Sequence, residues 1–200
     1  MTTADRPIGE FLSAVASEAV TPSGGAVAAV AGAAGAALCE MACLHTVGTE
    51  GYGGVEAELV DAGEEFAACR RRLLALADED AAAVDRVQAA FDAPESDENP
   101  QAAAKVAAEV PRETAETCLD VLDAAEAVAT GGNRNAVADT ATGAFLAGAA
   151  LRASVFTVRA NLETIDDAAF VSETAERVDG IERAADARLE RVRVTATERL

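Results

Sequence analysis

The sequence predicts an all-α protein, a helical bundle built around two central helices of small residues. Three observations carry this. Alanine, the strongest helix former, dominates every long segment. Alternating β-branched strand patterns are absent, so nothing competes with the helical period. Two stretches, from Ala26 to Cys39 and from Ala136 to Asn161, are rich in Ala and Gly. Rows of small residues such as Gly25, Ala29, Ala33 and Ala37, or Ala141, Ala144 and Gly148, let two helices approach closely. The aromatic content is only 4%, so the core must be made of Ala, Val and Leu. A chain of 200 residues suits a single domain spanning 1–200.

In order, Pro7 opens the first helix, a favoured first-turn position. It runs to about Glu18, with Ile8, Phe11, Leu12 and Val15 expected on one buried face. Thr21-Pro22-Ser23-Gly24-Gly25 then forms a tight loop. It leads into the small-residue helix, expected to end near Thr46, whose run Ala26–Cys39 is too short and too weakly hydrophobic to span a bilayer, which takes ~20 residues. Gly48 to Gly54 links to a long helix from Val55 to about Phe91, where a bend is expected. The stretch 93–100, with Pro94 and Pro100, is a loop. The next helix runs from Gln101 to about Thr130, with Pro111 expected to kink it. Gly131-Gly132-Asn133-Arg134-Asn135 ends it, and Asn135 is the expected N-cap of the helix that continues to Asn161. The last helix starts at Asp166 or Asp167. It repeats Val171, Val178, Ala185 and Val192 every seven residues, and Gly180 is a possible bend.

Charge narrows the function classes. The formal net charge is −19, with 35 acidic against 16 basic residues, and Lys105 is the sole lysine. Nucleic-acid binding needs a basic footprint, and anionic membrane surfaces repel such a chain, so neither partner is expected. The start, Met1 to Pro7, lacks a secretory pattern, which points to the cytoplasm. Cys39, Cys43, Cys69 and Cys118 have no framework spacing and read as small core residues. His45 near Cys39, Glu40 and Cys43 reads as a helix end rather than a metal site.

Two features point to chemistry. Backbone N–H groups and the positive end of the helix dipole converge behind Ser23, Gly24 and Gly25 and suit an anion or a polar ring edge. Asp139 lies one turn into the second small-residue helix, four residues after Asn135 and on its face. It is either a catalytic carboxylate or an acid complementing the helix dipole.

Phe11-Leu12, Thr21 to Gly25, Asp78-Glu79-Asp80, Gly132 to Asp139 and Val158 to Leu162 occur in this order. In that register the chain resembles the cyclodeaminase/cyclohydrolase family: the C-terminal domain of formiminotransferase-cyclodeaminase, and free-standing methenyltetrahydrofolate cyclohydrolases. The loop departs from the family's Pro-Gly-Gly-Gly-Ser, reading Pro22-Ser23-Gly24-Gly25-Ala26, and Ala138 stands where the family often has serine. The resemblance implies an all-α homo-oligomer, a dimer or larger, acting on a tetrahydrofolate derivative. Hydrolysis of 5,10-methenyltetrahydrofolate is the expected activity. Cyclodeamination of formiminotetrahydrofolate is the alternative, and a non-catalytic scaffold the further one. Either reaction passes through a tetrahedral adduct at one carbon and needs a proton acceptor and donor, but no metal and no redox cofactor. Asp139 is the first candidate base, with Asp78 and Asp80 next. Ser23, Gly24 and Gly25 are expected to bind substrate. Asn135 and Asn161 could hold pterin edges or cap helices. Arg159 could pair with the folate carboxylate or with an acid across the core.

The acidic, lysine-poor surface also suggests a halophilic protein. Repulsion among exposed carboxylates fades as the Debye length falls to ~3 Å at 1 M salt. The thermal midpoint should therefore rise between low and multimolar KCl; calorimetry at both concentrations checks this, and equal midpoints would count against salt adaptation.

Overall fold

In the computed structural model, which describes residues 1–92 and 99–200, six helices form the bundle and there is no strand among the described residues. They are α1 (Ile8–Val15), α2 (Gly24–Leu44), α3 (Glu56–Asp92), α4 (Pro100–Gly131), α5 (Val137–Leu162) and α6 (Ala168–Arg199). A short 3-10 turn, Thr3–Asp5, precedes α1 and another, Arg134–Ala136, precedes α5.

Helices α2 and α5 form the central pair that their composition predicts. They run antiparallel, and small residues set their separation. A Cβ on Gly35 would come within 2.5 Å of the Gly143 carbonyl oxygen, and one on Gly143 within 2.6 Å of the Gly35 oxygen. Helix α3 covers the other side of α2, α4 lies between α3 and α5, and α6 packs on α4 and α5. Phe66, Leu73, Leu76, Leu122, Leu151, Val155, Val158, Val178 and Val192 supply the bulk that the alanines lack. All four cysteines are free and buried. Burial pushes the Cys39 and Cys69 thiols up to about 12, so they behave as apolar core groups.

Several boundaries differ from expectation for local reasons. Helix α1 is shorter, and only Phe11 of its apolar set is buried; Ile8 and Leu12 are 63% and 54% exposed. Helix α2 has 21 residues and is therefore long enough to cross a bilayer by length, as is 134–162; half or more of each is buried inside the bundle. Helix α3 runs unbroken. Helix α4 continues through Pro111, and α6 continues through Gly180. Asn99 caps α4, accepting from the Gln101 and Ala102 N–H groups, with Pro100 at the first turn. The predicted loop at 93–100 otherwise lies outside the described residues. Asn135 is not a cap: Asn133 Oδ1 accepts from the Asn135 N–H, and α5 starts behind Ala136 with no side-chain cap. Asp167 caps α6 by accepting from Ala169 and Phe170.

The α2–α5 contact yields a paired stability prediction. Gly35→Ala puts a methyl against backbone of α5 that cannot rotate away, and should destabilise by about 1–3 kcal/mol. Gly180→Ala meets nothing within 4 Å and should stabilise by about 0.5–1 kcal/mol through helix propensity. Urea unfolding of the two variants measures both.

Candidate active site

The N-terminal end of α2 already holds an anion, and the anion is a side chain of the protein. Asp80, from the middle of α3, is only 5% exposed. Its Oδ2 accepts from the Ser23 hydroxyl at 3.0 Å and from the Ala26 N–H at 2.9 Å. Ser23 is extended and makes no cap to its own helix; the capping oxygen comes from Asp80 instead. The Thr21–Pro22 peptide before it is cis. Gly25 is a steric requirement of this arrangement, because a Cβ there would lie 2.1 Å from Asp80 Oδ1. Burial raises the carboxyl above the ordinary aspartate range, while the bonds from Ser23 and Ala26 pull the other way. A carboxyl whose proton affinity is raised in this way is suited to taking up and releasing a proton.

Asp80 stands at one wall of a cavity of about 290 Å³. Helix α3 contributes Val84, Val87, Gln88 and Phe91, which follow Asp80 by one, two, two and three turns on the same face. Ala104 and Ala107 of α4 line another side. Thr157 and Asn161 close it from the last turns of α5. Asn161 Nδ2 donates to the Ala107 carbonyl at 2.6 Å. The space is apolar with a few polar groups set around it, as small-molecule sites are. Gln88 and Thr157 were not singled out from the sequence, although the helical spacing from Asp80 and from Asn161 carried the signal.

The other candidates divide. Ser23 lines the cavity. Gly25 is buried beneath Asp80, and Gly24 lies on a shallower apolar groove on the other side of the loop. Asp78, two residues from Asp80 and so on a different face of α3, accepts from the Thr3 N–H at 2.9 Å and the Thr3 hydroxyl at 2.6 Å. It ties the N-terminal segment to the bundle and does not line the cavity. Arg159 pairs with Asp179 at 2.7 Å and Glu182 at 2.9 Å on α6, which is the acid-across-the-core alternative. Asp139 and Asn135 do not share a cleft with the α2 loop. Antiparallel packing puts them beside the C-terminal half of α2, where Cys39 Sγ meets the Thr140 carbonyl at 3.6 Å. Counted from Asn161, Asp139 is about 33 Å away along α5 at 1.5 Å per residue. The two helix starts therefore sit at opposite ends of the central pair within one chain.

Comparison with known proteins identifies the fold and the family. The family profile described as formiminotransferase-cyclodeaminase matches residues 7–180. The chain belongs to the formiminotransferase-cyclodeaminase family. It is 35% identical to methenyltetrahydrofolate cyclohydrolase of Methylorubrum extorquens, over 95% of each chain. It is 29% identical to formimidoyltransferase-cyclodeaminase of Sus scrofa, covering 88% of this chain and 34% of that longer protein. The crystal structure of formiminotetrahydrofolate cyclodeaminase from Thermotoga maritima superposes with a TM-score of 0.93 at 31% identity, over 98% of each chain. The family fold is thus present from end to end, and the Ser23–Asp80 contact is where this family member places a buried acid.

Gly25→Ala tests the contact directly. The added methyl has to displace the Asp80 carboxylate from the Ala26 N–H. Turnover should fall by roughly 100-fold, the scale of losing a positioned general base, while helical circular dichroism is retained; unchanged turnover would mean the contact is only structural.

Proposed function

We propose that this protein hydrolyses 5,10-methenyltetrahydrofolate to 10-formyltetrahydrofolate, with Asp80 as the proton-transferring group. The observation that carries the reading is the buried Asp80 carboxyl, pinned by Ser23 and the α2 N-terminus at the wall of the cavity. The substrate's bridging carbon sits between N5 and N10 in a cationic amidinium. A carboxylate facing it offers charge stabilisation. Water oxygen bonds to that carbon as Asp80 takes one of its protons. The tetrahedral adduct then collapses: the electron pair of the carbon–N5 bond goes to N5, which takes the proton back from Asp80. The remaining hydroxyl proton leaves to solvent, and the formyl group stays on N10. Asp80 serves both halves: burial raises its proton affinity, which favours taking a proton from water and holding it for N5. Apolar walls from Val84, Val87 and Phe91 suit the flat pterin.

Preference for the hydrolysis rests on the relative from Methylorubrum extorquens, which matches along 95% of its own length and carries that name. Cyclodeamination is the second reading, favoured by the Thermotoga maritima structure, which is titled for that activity and is equally full-length. There N10 attacks the carbon of the protonated formimino group, Asp80 carries the N10 proton to the departing nitrogen, and the carbon–nitrogen bond breaks to release ammonia and leave the methenyl cation. Loss of methenyltetrahydrofolate absorbance above the uncatalysed rate measures the first activity. Ammonia release from formiminotetrahydrofolate measures the second.

The same proposal includes cytoplasmic action with no metal or redox cofactor, and association of identical chains. Ile8, Leu12, Val20 and Phe156 are exposed, and this apolar surface supports association. Asp139 is half-buried and can reach a folate at Asp80 only from another copy.

Asp80→Asn keeps an acceptor for Ser23 and Ala26, so the fold should survive while kcat falls by about 10²–10⁴-fold. Asp139→Asn should keep kcat within about threefold, as expected of a site built from one chain. A loss as large as that of Asp80→Asn would instead place Asp139 in a site shared between copies.

A further inference from the structure

Pro111 sits inside α4, among buried residues, in a helix that does not break around it. A proline at that position has no N–H to pair with the carbonyl four residues earlier, and that carbonyl belongs to Ala107. Ala107 is half-buried, and a backbone oxygen withdrawn from water in this way favours finding a donor. Here the missing donor comes from another helix. Asn161 Nδ2 reaches the Ala107 oxygen at 2.6 Å. Both Ala107 and Asn161 line the cavity that holds Asp80.

This contact settles which way the Asn161 amide points. A carboxamide has one donor end and one acceptor end. With Nδ2 committed to Ala107, Oδ1 is the free heavy atom, and it has no hydrogen-bond partner among the described residues. Were residue 111 to carry an N–H, it would share the Ala107 carbonyl with Asn161 within α4. The Asn161 amide would then be held less firmly in this orientation. We infer that Pro111 is a positioning residue: by withholding its N–H it leaves the Ala107 carbonyl to Asn161 and so fixes Oδ1 as a hydrogen-bond acceptor for an N–H of the substrate's pterin ring. The inference rests on the cavity being the folate site. It assigns Asn161 to recognition of the ring, Pro111 to the orientation of that amide, and neither to proton transfer.

Steady-state kinetics with methenyltetrahydrofolate on the full chain tests it, with Pro111→Ala, Asn161→Ala, the double variant and Asn161→Asp. Pro111→Ala gains a helix hydrogen bond, so its melting temperature should equal or exceed that of the parent protein. Its KM should nevertheless rise about tenfold with kcat within about twofold. Asn161→Ala should raise KM to a similar extent, and the double variant should be no worse than either alone. Asn161→Asp keeps Pro111 and the shape of the side chain but cannot donate to Ala107, so its KM should rise as well; it also serves if Pro111→Ala does not fold. Parent-like KM in Pro111→Ala, or multiplied effects in the double variant, would overturn the positioning role. If Asp80→Asn is inactive in that case, the folate reading of the cavity stands without it. If Asp80→Asn is fully active and Asn161→Ala has parent-like KM, the cavity is not the folate site and both readings fall.

Discussion

A carboxylate from the middle of α3 occupies the N-terminal end of α2, and much of the molecule is arranged around that contact. The first N–H groups of a helix have no partner within it and concentrate positive potential there. Asp80 answers both needs through the Ala26 N–H. Its approach leaves no room for a side chain at residue 25, and Ser23 adds a second donor. The contact also links two helices that are far apart in sequence, at the end of the bundle where the cavity opens. The helix start that looked ready to receive an external anion is filled from within. What it offers to a ligand is a carboxyl group held in place, with its proton affinity raised by burial.

The close pairing of α2 and α5 decides which residues join Asp80. Small residues bring the two backbones together, and antiparallel packing carries the end of α5 to the start of α2. Thr157 and Asn161 therefore reach the Asp80 cavity, while the Asn133 to Asp139 turn goes to the far end. There Asn133 ties its own loop to the end of α2: its N–H donates to the Thr46 hydroxyl at 2.9 Å and its Nδ2 to the His45 carbonyl at 3.0 Å. Farther out, Arg177, Arg188 and Arg191 of α6 pair with Glu116, Asp123 and Glu126 of α4. Their partly exposed setting makes each worth little.

The architecture was legible from composition because alanine-rich, strand-poor sequence leaves few alternatives to a bundle, and small-residue rows identify the central pair. The loop at Ser23 was legible for the same reason, from its Pro-Gly punctuation. What sequence could not supply was direction. Asn135 and Asp139 share a helix face with each other, but the relative orientation of α2 and α5 decides what they face, and no local pattern encodes it. Asp78 and Asp80 look alike in an acidic chain. Only the rotation of α3 about its axis separates a buried acid in the cavity wall from one that holds Thr3 in place. Ile8 and Leu12 show the converse limit: an amphipathic period predicts a buried face, but a helix as short as α1 buries only Phe11. Arg159 could meet an acid of the protein or of a ligand, and the position of α6 gives it Asp179 and Glu182.

In the proposed mechanism the deprotonated form of Asp80, a carboxyl whose pKa burial raises, starts the reaction. The most direct measurement is a 13C NMR titration of the aspartate side-chain carboxyl groups, with Asp80 assigned by comparison with Asp80→Asn, set beside the pH profile of kcat/KM. An Asp80 pKa above the ordinary aspartate range of about 3.9, coinciding with the acid limb of the rate profile, is the predicted result. An Asp80 that titrates in the ordinary range, or a rate that is indifferent to its ionisation, would contradict it.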